Sequence, residues 1–125
     1  MVLHDVDNFM QEVLLKIMQK DFHVMLDDLR GVKEKIDDLD SEISTSGSLR
    51  PTFGDLLTLQ KYMIALSTTY GANHKALDFI KKNFTPGLCD PLLFLNAGCF
   101  AGHILIIDRF THAVNGVHNL SGHFL

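Results

Sequence analysis

From Leu15 onward the apolar residues of this chain recur at Leu15, Met18, Phe22, Met25, Leu29, Val32, Ile36, Leu39 and Ile43, in alternating steps of three and four. A period of 3.5 keeps one narrow seam on one side of a helix, which is what lengthwise packing against another long helix requires. No proline interrupts the stretch, Asp5 or Asp7 can cap its start, and the weak helix formers and glycine of "STSGS" at 44–48 can end it. The pattern predicts a long amphipathic helix over 8–44. Two arrangements satisfy it: one continuous helix, or two shorter ones joined near Asp21 or at Gly31, since glycine costs about 1 kcal/mol in a helix interior. Val13, Leu14, Ile17, Val24 and Leu26 widen the apolar side of the first half, so that half is expected to pack on more than one side.

The second unit opens with Pro51, Thr52 as N-cap and Asp55 approximating a capping box, and Leu56, Leu59, Met63 and Leu66 then share a face. This predicts a helix over 52–70, stopped at Gly71. A further helix over 73–84 places Ala76, Phe79, Ile80 and Phe84 on one side, and "TPG" at 85–87 ends it. Asp90 followed by Pro91 starts an apolar helix over 91–114, with "VNG" at its end and 117–125 left as a tail. No alternating run of strand type and no internal repeat occurs. The expectation is a single all-α domain over 1–125: a helical bundle of four to five helices with a coiled-coil-like N-terminal helix and an apolar C-terminal helix.

The apolar helix admits two readings. Pro91 to Ile107 is seventeen residues without a formal charge, which covers about 25 Å against the roughly 30 Å of a bilayer's hydrocarbon. Asn96 and His103 lie inside the run, and no basic cluster or aromatic belt flanks it. Ala97, Gly98, Ala101 and Gly102 offer small residues four apart, so Gly98 and Gly102 are expected where helices approach closely. A buried central helix is the expectation, with membrane insertion, as a hairpin or on a trigger, as its alternative.

Composition narrows the classes. With 46 % hydrophobic residues, 21 % charged residues and three prolines, the chain reads as an ordinary folded protein. Residues 1–50 hold eleven acidic and six basic side chains, and the remainder four and five. Nucleic-acid binding draws its affinity from neutralised phosphates, so this distribution argues against it. Cys89 and Cys99, about 15 Å apart if both are helical, are expected as reduced thiols. The opening "MVLHDVDNFM" lacks the basic-then-apolar pattern of a secretion signal, so an intracellular, cytoplasmic location is expected.

Candidate chemistry sits on the last helix. Cys99 and His103 are four residues apart, as are Asp108 and His112, so each pair shares a face and could co-ligate a metal or pair thiol with imidazole. The plainer reading is a packed histidine beside a structural cysteine. His103 and Asp108 have a spacing that resembles the last ligand pair of hemerythrin-type di-iron bundles, but the HxxxE and HxxxH pairs of that family are absent, and no cofactor is expected. "GCFAG" neither follows a strand nor precedes a lysine, and GxSxG, HExxH and CxxC do not occur, so no enzyme is expected.

"MLDDLRGVKEKI", with Met25, Leu29, Val32 and Ile36 at 4-3-4 spacing and Glu34 as the acid, resembles an amphipathic helix of apoptosis regulators of the B-cell-lymphoma type, and "GHILIIDRF" resembles the start of their central helix. Lys33 stands where that family has a small residue, and the tryptophan and arginine of the second motif are missing. The resemblance implies a membrane-associating helical regulator. The seam itself implies a non-enzymatic assembly or adaptor protein that acts through Met18, Phe22, Met25, Leu29, Val32, Ile36, Leu39 and Ile43 on a protein partner or a second copy.

Overall fold

The stripe of 15–43 lies on one unbroken helix. The computed structural model describes residues 2–46 and 50–124, and the side chains of residues 7–45 and 53–119. It contains α1 (Val2–Ser46), α2 (Arg50–Asn83) and α3 (Asp90–Phe124), with no strand among the described residues. The described residues are all-α, with three helices rather than the expected four to five. Gly31 does not break α1, and Asp5 and Asp7 lie inside it rather than at its cap.

The difference in helix number has one physical cause. A glycine inside a helix costs about 1 kcal/mol, and burial on both sides of it outweighs that cost. Gly71 was expected to stop a helix, yet α2 runs through it to Asn83. Leu66 before it and Leu77 after it are both buried on the same inward face. Likewise α3 passes Gly116 and takes in the expected tail through Phe124, with Ala113 and Val117 buried on either side of that glycine. The expected stop at 85–87 does end α2: Gly87 has φ +87°, a backbone region open to glycine and strained for other residues. The link closes through hydrogen bonds from the Leu88 N–H to the Thr85 carbonyl and from the Asp90 N–H to the Gly87 carbonyl.

The three helices run up, down and up. α1 and α3 lie parallel and share the most extensive contact. Gly98 and Gly102 of α3 lie against Leu26 and Leu29 of α1, and Gly116 against Asp40 and Ile43. A Cβ at Gly102 would come within 2.9 Å of a Leu29 methyl, so the missing side chain is what lets the two helices close. Phe22, Met25, Leu29, Val32, Ile36, Leu39 and Ile43 are all buried, and Met18 packs half-buried against them. They meet Leu56, Leu59, Leu66, Leu77 and Ile80 of α2 and Leu92, Cys99, Ile106, Ala113 and Val117 of α3. At the end near the α2–α3 link, the buried Gln11 side-chain oxygen accepts hydrogen bonds from the Thr85 backbone N–H (3.2 Å) and hydroxyl (3.0 Å), tying α1 to the link.

Candidate interaction surface and polar core

Helical geometry decides what the chemistry-bearing residues of α3 can do. Positions 99, 103 and 106 point inward, whereas 108 and 112 do not. Cys99 is fully buried, and its thiol donates to the Phe22 carbonyl at 3.5 Å. Burial pushes that thiol up to about 11, which keeps it protonated and a poor nucleophile at neutral pH. His103 is also buried, its Nε2 has no hydrogen-bond partner, and burial lowers its pKa toward the neutral imidazole. Asp108 is exposed, and the exposed His112 has its Nε2 3.5 Å from an Asp40 carboxylate oxygen on α1. The four candidates thus fall into an inner and an outer pair. Among the described residues no group of three or more His, Cys, Asp and Glu could hold a metal ion.

A polar contact that the sequence did not single out joins α2 to α3 beside His103. The Asn96 amide donates to His74 Nδ1 at 3.1 Å, and His74 Nε2 faces Asp78 at 3.7 Å. The Tyr70 ring stacks on His74 with centroids 5.9 Å apart and tilts over His103 at 5.0 Å. Burial and then the neighbouring Cys99 raise the Tyr70 phenol, while a hydrogen bond with Asn96 opposes them. This cluster clamps two helices. It holds no activated nucleophile paired with a base, and its contacts across the two helices join residues more than twenty apart in the chain, so no local motif marks them.

The outer surface is unusual in its composition. On α2, Phe53, Leu57, Gln60, Ile64 and Ser67 form a stripe with steps of four and three, offset from the buried face. On α3, Phe100, Ile104, Ile107, Thr111 and Val114 do the same. Phe53, Ile64, Phe100, Ile104 and Ile107 are each more than half exposed. Both stripes lie on the side of the α2–α3 pair away from α1. Tyr70 meets His103 between the two helices, and a crevice of about 190 Å³ lined by Phe53, Leu57, Phe110 and Val114 opens between the two stripes. None of the stripe residues is charged, although Lys61, four residues after Leu57, and Asp108, four after Ile104, stand at their borders. The charged residues are concentrated on α1, where Lys33 pairs with Asp37 at 2.9 Å and Arg109 of α3 reaches the same carboxylate at 3.6 Å.

The segment Asp90–Asn119 of α3 is long and apolar enough to cross a membrane, and 22 % of its most apolar window is buried. No family model, curated protein or solved structure matches the chain.

Proposed function

We propose that this chain is a non-enzymatic assembly protein that offers the outer face of α2 and α3 to another protein surface. The observation that carries the reading is the pair of exposed, uncharged apolar stripes led by Phe53, Leu57 and Ile64 on one helix and Phe100, Ile104 and Ile107 on the next. Single exposed apolar residues are ordinary, whereas contiguous ones mark interaction sites. In this reading the seam from Met18 to Ile43 organises the bundle, and the outer stripes make the contact. The burial of Cys99 and His103 supports a non-catalytic role, since a reaction centre needs access for its substrate. A photo-activatable cross-linker placed at position 104 tests the proposal in cells. A protein adduct is expected, and an adduct to lipid alone, or none, overturns the reading.

Membrane association, including the apoptosis-regulator variant, is the second reading, favoured by the apolar length of α3. It must meet one constraint: α3 lies alongside the charged middle of α1, with Gly98 and Gly102 against Leu26 and Leu29, next to Asp27, Asp28 and Arg30. Crossing a bilayer as a folded bundle would carry those charges into hydrocarbon. This reading therefore requires α3 to leave the bundle, and flotation of the chain with vesicles, accompanied by loss of the α1–α3 contact, is its test.

A further inference from the structure

We infer that a second copy of this chain covers the outer face of α2 and α3, giving a symmetric dimer. The inference rests on the assembly reading above and names its partner. Three observations lead to it.

The first is area. The chain exposes 8580 Å², whereas a compact monomer of 14.0 kDa is expected to expose roughly 6,700 Å². Much of that excess comes with the length of three helices of 34 to 45 residues; on this face it falls on Phe53, Leu57, Ile64, Phe100, Ile104 and Ile107, each 45 % or more exposed. The second is pattern. Each outer stripe repeats at steps of four and three, and the two run side by side on antiparallel helices. Such a two-helix layer finds its complement in another layer of the same kind, which produces a four-helix interface with knobs-into-holes packing.

The third is charge. A two-fold interface sets a surface against itself, so a charged face repels its copy while a neutral one does not. The stripe residues themselves are uncharged, with Lys61 and Asp108 as one cation and one anion at their borders, and α1 carries an excess of acid. Pairing through α2 and α3 places the two α1 helices on the outside, where their like charges are farthest apart. Pairing through α1 would bring those charges together.

Light scattering of the full chain over a hundredfold range of concentration tests the inference. The expected mass is about 28 kDa, twice that of one chain. Ile104→Glu on the proposed face is expected to raise the dissociation constant at least a hundredfold with helix content unchanged, because residue 104 is exposed in the single chain. Phe100→Ser, a milder change on the same face, is expected to weaken the dimer by a smaller factor. Ile17→Glu, at an equally exposed apolar position on α1, is expected to leave it intact. A dimer lost with Ile17→Glu but kept with Ile104→Glu overturns the proposed face, and a wild-type chain that stays at 14 kDa throughout overturns the dimer. A monomer that still gives an adduct with a different protein at position 104 overturns this inference alone. A monomer that gives no such adduct and floats with phosphatidylcholine vesicles overturns the assembly reading as well.

Discussion

α1 and α3 are both long and both carry regular apolar stripes, yet they use their circumferences differently. On α1 every residue off the stripe from Asp27 to Glu42 is charged except Gly31 and Ser41, and the stripe itself is buried. On α3 the residues beside the buried stripe are apolar too, and Phe94, Phe100, Ile104 and Ile107 are each more than half exposed. Periodic apolar residues therefore report a core only where polar neighbours delimit them. Where the rest of the helix is apolar, part of that apolar surface stays exposed.

The strongest way to break this contrast is to put a charge on the delimited stripe. Leu29→Asp buries a carboxylate between α1 and Gly102 of α3, with no cation within the core to pair with it. Loss of cooperative unfolding is expected, whereas Asp28→Ala, one position away and off the stripe, is expected to stay within about 0.5 kcal/mol of wild type. Similar stability for the two variants in a urea titration would refute the assignment of core and surface. A gentler pair makes the same comparison between helices. Ile36→Ala removes a fully buried side chain and should cost about 2–5 kcal/mol. Ile107→Ala removes one that is 53 % exposed and, with the chain dilute enough to be monomeric, should cost about 0.5 kcal/mol or less.

These effects also separate what was legible in the sequence from what was not. The inner stripe of α1 could be read because charge surrounds it. The continuation of α2 was present in the pattern as well: Leu59, Met63, Leu66, Tyr70, Asn73, Leu77, Ile80 and Phe84 keep the same steps straight through Gly71. Treating that glycine as a stop gave a local cost of about 1 kcal/mol more weight than the stripe on either side of it. The outer stripes were harder to see, since Leu57 and Ile64 lie close in sequence to the buried Leu56, Leu59 and Leu66, and periodicity cannot choose between two apolar faces of one helix. At the candidate chemical site, the Cys99–His103 spacing was visible but its inward direction was not. The contacts of Asn96 with His74 and of His103 with Tyr70 depend on tertiary pairing alone.

Glycines give an effect of intermediate size. A Cβ at Gly71 would meet nothing within 4 Å, so Gly71→Ala should stabilise the protein by about 1 kcal/mol through helix propensity and a less flexible unfolded chain. The same substitution at Gly102 forces a Cβ to 2.9 Å from a Leu29 methyl. Leu29 must shift within a packed core, at a typical cost of about 1–3 kcal/mol that cancels or exceeds the propensity gain. Thermal midpoints that rise for Gly71→Ala and stay level or fall for Gly102→Ala would sharpen the view that α1 and α3 form the tight pair. A rise of equal size at both positions would contradict it.

The smallest effect at neutral pH, and the one that grows with acid, belongs to His103. Its buried imidazole has a pKa below the ordinary 6.5, so the folded chain binds this proton less readily than the unfolded chain does. Stability from this group is therefore complete above about pH 6.5, is lost as pH falls from there through the lowered folded value, and loses nothing further below it. The inner face of α3 is thus the acid-sensitive one, while the outer stripes contain no ionisable residue to respond. His103→Leu should flatten the part of the stability profile just below pH 6.5 and leave stability at pH 8 little changed, because Nε2 has no partner to lose. Urea midpoints measured at several pH values for both proteins read this directly. If the wild-type profile keeps its acid slope in the His103→Leu variant, the slope belongs to other groups and the buried imidazole is not what acid attacks.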